Sequence, residues 1–140
     1  MSLAPISSTV IKGNILNDKL TLQFPIQKLQ KGVWQIAIDS FAYDFHVQPN
    51  AVKPNYFCSV KCNWITGITY NENNELVSES PSIFQFLISK SKDFFFNSKT
   101  WFEINSLTEF LIFEIIDLES NSILKIDCSV YILVLIQRKI

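Results

Sequence analysis

Glycine, histidine and charge are what this chain has least of. Three glycines in 140 residues, Gly13, Gly32 and Gly67, are too scattered to build a phosphate-cradling loop, which needs several within a short span. Nucleotide enzymes of that kind drop out. The single histidine, His46, leaves a zinc site short of ligands, because Cys58, Cys62 and Cys128 contain no Cys-x-x-Cys pair. Neither a metal nor another cofactor is expected. Charged residues make up 18% of the chain, below the ordinary share of about a quarter. The net charge is −1 and the lysines are dispersed from Lys12 to Lys139, so no basic face forms that would hold nucleic acid.

Long apolar runs are also missing. The longest near the end, Val130-Tyr-Ile-Leu-Val-Leu-Ile136, is far short of the ~20 residues a membrane helix needs. Met1-Ser-Leu-Ala-Pro-Ile6 lacks the basic start and apolar stretch of a signal peptide, which predicts a protein that begins in the cytosol. Three cysteines without a secretory signal are expected as reduced core thiols. On one strand Cys58 and Cys62 would lie about 13 Å apart at ~3.3 Å per residue, too far for a disulfide.

What is abundant is apolar and aromatic: 48% and 14% of the residues. One hydrophobic core over a single domain, residues 1–140, is the expectation. Period-two alternation recurs along the chain. Leu20, Leu22 and Phe24 share one face; Trp34, Ile36 and Ile38 share another; Cys58, Val60, Cys62 and Trp64 point inward from a third strand. Tyr70-Asn-Glu-Asn-Asn-Glu75 reads as the turn of a hairpin. Residues 83–88, 94–96 and 100–104 follow as short strands. Asn105 to Glu109 has capping-box spacing, but the Phe and Ile residues after it limit any helix to a single turn.

Phe110-Leu-Ile-Phe-Glu-Ile-Ile-Asp117 and the run from Ile123 to the end, joined by Glu119-Ser-Asn-Ser122, are expected to form a β-hairpin closing a sheet. Asp117, Ser120 and Asn121 would supply its turn hydrogen bonds. With eight to ten short strands and no long helix, the chain reads as all-β: a sandwich, jelly roll or barrel, and most simply an antiparallel β-sandwich of the single jelly-roll type.

No constellation of catalytic residues stands out. His46 near Ser40, Asp39 and Asp44 would satisfy the residue types of a hydrolytic triad, but no nucleophile-elbow glycines accompany it. The carboxylates form no recurrent acid–base pair, and the chain is read as a non-enzyme. Tyr43, Tyr56, Tyr70 and Trp101 are candidates for stacking on a sugar or base. Phe94-Phe-Phe96 carries a sharper implication, since consecutive strand residues face opposite ways and all three cannot enter one core. Tyr131 to Ile136 is apolar on both faces as well. Phe94, Phe95, Phe96, Tyr131, Leu133 and Leu135 are therefore the candidate interface.

The segments 20–43 and 110–138, with Gly32-x-Trp34-x-Ile36-Ala37-Ile38 early and a terminal apolar strand ending in Arg138, resemble the small jelly-roll, penton-like capsid proteins of Polinton-type elements, adintoviruses and related double-stranded DNA viruses. The resemblance covers about half the chain and involves fold-bearing positions. It implies a viral or virus-derived structural protein that forms homo-oligomers, pentamers or trimers, and meets other capsid proteins in a virion or in the host cytoplasm or nucleus. The chain is short for a full vertex protein, which leaves a minor capsid role open. A monomeric β-sandwich that binds a glycan or other ligand through Trp101 and Tyr70 is the alternative.

Overall fold

The alternating segments become strands of two facing antiparallel sheets in the computed structural model. It describes residues 6–23, 32–45, 55–70, 72–79, 81–96 and 100–139, with backbone only at 68–70 and 76–79. Among the described residues twelve strands run in order: β1 (Ile6–Asn14), β2 (Leu20–Gln23), β3 (Val33–Phe45), β4 (Tyr56–Cys62), β5 (Gly67–Tyr70), β6 (Leu76–Glu79), β7 (Phe84–Ile88), β8 (Lys92–Phe96), β9 (Phe102–Glu103), β10 (Phe110–Asp117), β11 (Ser122–Ile123) and β12 (Cys128–Lys139). Among the described residues there is no helix, so none is long and apolar enough to cross a membrane.

Sheet one has the order β1-β12-β3-β8, with β9 added on β3; sheet two has the order β2-β10-β4-β7, with β11 added on β10. β1, β2, β3 and β4 alternate between the sheets, β4 and β7 pair within sheet two, β8, β10 and β12 alternate again, and β12 inserts between β1 and β3. That is the eight-strand double Greek key of a jelly roll. β5 and β6 form a separate hairpin around the expected turn, with Asn74 at φ 59°.

The core lies between the inner faces. Ile36, Ile38, Phe41, Val130, Ile132 and Val134 from sheet one meet Cys58, Val60, Leu111 and Phe113 from sheet two. All three cysteines are buried, and none is in a disulfide. Trp64, fully buried just past β4, donates its indole N–H to the Thr108 carbonyl at 3.2 Å. Asn63 bridges β4 to β10: its side-chain amide donates to Phe110 O at 2.8 Å, and its oxygen accepts the Ile112 N–H at 2.8 Å.

Two features depart from a simple reading of the sequence. The inward set on β3 changes phase, from Ile36 and Ile38 to Phe41 and Tyr43, because the register jumps from Val134 opposite Ile38 to Leu133 opposite Ser40. Asp39 is the extra residue of a β-bulge, which resets the two-residue alternation by one. The expected terminal hairpin is corrected to a much smaller one. Only Ile116–Ile123 and Asp117–Ser122 pair, after which the chain crosses over and β12 joins β1 and β3 in the opposite sheet. Both β10 and β12 bury an apolar face, so packing them against each other across the core covers more surface than pairing them edge to edge. The turn chemistry is as expected in part: Glu119 N–H donates to Asp117 Oδ1 at 3.0 Å, and the Ser120 and Ser122 hydroxyls lie 2.8 Å apart.

Candidate functional site

The outer face of sheet one is built by register. Two rows cross all four of its long strands: Lys12, Tyr131, Ala42 and Phe94 in one, and Val10, Leu133, Ser40 and Phe96 in the next. Side chains in such rows are cross-strand neighbours on one face. Phe96 is 81% exposed, Val10 56%, Phe94 51% and Tyr131 47%, and Leu133 is half-buried between them. The Phe94 and Phe96 rings meet edge to face with centroids 4.6 Å apart.

The small residues Ser40 and Ala42 lie between a ridge of Tyr131 and Leu133 on β12 and a ridge of Phe94 and Phe96 on β8. Two strand spacings separate the ridges, roughly 9.5 Å, so the face carries a shallow trough. The exposed parts of the three aromatic rings amount to roughly 350 Å² at about 200 Å² per ring. The largest apolar patch of an ordinary monomer is of that size by itself, before Val10 and Leu133 are added.

Of the six candidate interface residues, Phe94, Phe96, Tyr131 and Leu133 come together on this face. Leu135 points the same way but is 7% exposed, covered by its own chain. Phe95 faces the other way and is half-buried against the core. Strand alternation turns it inward, where it stacks on Tyr43 at 6.0 Å and meets Phe84 edge to face at 6.5 Å. Val10 was not singled out from the sequence, because its strand, Ile6–Asn14, is rich in Ser and Thr and shows only a weak apolar alternation.

The other sequence candidates are dispersed. Tyr43 and Tyr56 are buried and Trp101 is half-buried. His46 and the Tyr70 side chain lie outside the described residues, and with them the histidine of the triad and one member of the sugar-stacking set. Among the described residues, no three His, Cys, Asp or Glu side chains cluster to hold a metal ion. Burial raises the Cys62 thiol to about 11; burial, with the charges of Asp44 and Asp127, raises Cys128 to about 12. Both thiols are protonated at neutral pH and are poor nucleophiles.

Gly32, Trp34 and Arg138 meet at the far end of sheet one. Arg138 is the register partner of Trp34, and a Cβ on Gly32 would lie 2.5 Å from the Arg138 Nε. A second feature is a cleft of about 310 Å³ in sheet two, where β2 and β11 leave a gap along β10. Ile15, Leu20, Phe113, Ile115 and Leu124 line it, with Asp18, Lys19 and Glu114 also on its wall. Comparison with protein-family models, with curated proteins and with solved structures finds no match to this chain.

Proposed function

We propose that this chain is a non-enzymatic structural protein, viral or virus-derived, that self-assembles through the outer face of sheet one as a penton-like or minor capsid component. The observation that carries the reading is the aromatic trough of Phe94, Phe96 and Tyr131, left open to solvent on a sheet whose other face is fully packed. Two ridges on β12 and β8 flanking a trough on β3 can seat a ridge of a second copy. Closed homo-oligomers, a pentamer or a trimer, are the expected units, and other capsid proteins their further partners. The jelly-roll strand order fits this role, and it equally fits lectin domains, so the fold alone does not choose.

The test is the mass in solution by light scattering coupled to size-exclusion chromatography, across concentration and salt. An oligomer that dissociates in Phe94→Ser/Phe96→Ser, with the near-ultraviolet circular dichroism preserved, is the expected result. A wild-type mass equal to the 16.2 kDa chain at every concentration refutes it. The cleft on sheet two favours one second reading, a monomeric ligand-binding module. Its apolar lining suits a small apolar molecule better than a glycan.

A further inference from the structure

β1 is an edge strand. It pairs with β12 on one side, and among the described residues no strand pairs its other side. The direction of its backbone groups follows from one hydrogen bond: the Ile15 N–H donates to Cys128 O at 2.8 Å. Backbone groups alternate sides along a strand, so those of Gly13, Ile11 and Thr9 also face β12. The N–H and C=O groups of Ser8, Val10 and Lys12 then point away from the sheet. The Asn14 carbonyl, on the same side, accepts the Asn17 and Asp18 N–H groups of the following turn, in keeping with this alternation.

Natural sheets protect their edges by making them short, bulged, charged or proline-bearing. β1 has none of the first two protections: it is nine residues long and pairs through Asn14 without a register shift. It contains no proline, and Lys12 is its only charge. The opposite edge, β8, is only five residues long and holds Lys92 and Asp93. The unprotected edge also adjoins the exposed apolar face, because Val10 belongs to both.

We infer that β1 is a pairing edge for a second copy of this chain, added antiparallel about a two-fold axis through Val10. The inference rests on the self-assembly reading and adds to it a two-fold contact through β1, distinct from the trough contact that closes a pentamer or a trimer. In this register Val10 lies opposite the second copy's Val10, and Ser8 lies opposite Lys12, so the two lysines are kept apart. The two sheets become one continuous sheet, and the two aromatic troughs lie side by side on the same surface. The arrangement is isologous and closed, which satisfies both edges at once and leaves no free β1 to propagate a fibre.

Val10→Pro tests this selectively. The Val10 N–H points outward, so proline removes an intermolecular donor while leaving the β1–β12 ladder intact. The measurements are light-scattering mass against concentration, and hydrogen exchange at the Ser8, Val10 and Lys12 amides of the wild type at high and low concentration. Expected are a Val10→Pro assembly weakened roughly tenfold or more, and wild-type amides protected when concentrated and exposed on dilution. If Val10→Pro is not folded by circular dichroism, the wild-type exchange decides alone. Fast exchange at all three amides in an assembled wild type, with Phe96→Ser still dissociating it, overturns edge pairing and leaves the trough as the contact. A wild type that stays monomeric overturns both.

Discussion

Removing one residue from β3 tests the bulge, and the place it is taken from decides the result. The bulge lets Ile36 and Ile38 before it, and Phe41 and Tyr43 after it, all face the core against a straight β12. Deleting Asp39, the extra residue, leaves Ile38 opposite Val134 and Ser40 opposite Leu133, so the two halves join as a regular strand with the same four side chains inward. That protein should stay within about 1 kcal/mol of wild type. Deleting Ala37 instead shifts part of β3 by a step. If the bulge is kept, Ile36 turns outward and Gln35 turns in; if the bulge is absorbed, Ile38 turns outward and Asp39 turns in. Each isoleucine is essentially fully buried, so exposing one forfeits about 1.5–3 kcal/mol. The polar side chain turned inward adds about 1–3 kcal/mol. Together these are a large share of the stability of an ordinary domain, about 5–15 kcal/mol. Urea unfolding followed by tryptophan fluorescence should show the midpoint of the Ala37 deletion lowered by about 1 M or more. An Ala37 deletion that unfolds at the wild-type midpoint, or an Asp39 deletion that loses its cooperative transition, would refute the bulge argument.

Two further outcomes follow, one from a strained glycine and one from buried thiols. Gly32 sits at φ +146°, and a Cβ there would press on Arg138, so Gly32→Ala should destabilise by about 1–3 kcal/mol in the same urea assay. A change below 0.3 kcal/mol would show that the Val33 end of β3 tolerates rearrangement. The raised thiols of Cys62 and Cys128 bind their protons more tightly folded than unfolded. The stability this confers is present below pH 9 and is lost as pH rises from about 9 towards 12. Tyr43, raised chiefly by burial, steepens the same slope. Urea midpoints should fall between pH 9 and pH 11, and Cys128→Ala should flatten the fall; midpoints independent of pH across this range would refute it.

Much of the strand content was legible because alternation is local. Cys58, Val60, Cys62 and Trp64 read as one inward face, and all four are buried. The 67–79 hairpin was legible from its turn residues. Phe94 and Phe96 were legible as residues unable to share a core with Phe95, although alternation alone did not say which of the three would enter it. Tyr131 and Leu133 were part of the reading, but their alignment with Val10 and with the phenylalanines was not, since that depends on pairings between strands distant in sequence.

The amino-acid order by itself determined most of the strand segments from Leu20 on and which of their side chains tend inward, because those properties follow from two-residue periodicity and side-chain chemistry within a few positions. Only the tertiary structure decided which strands are neighbours. It split β10 and β12 between sheets, placed Asp39 in a bulge and assembled the exposed apolar face from four strands. Each of those choices is set by closing two apolar faces over one core, a condition that no short stretch of sequence contains.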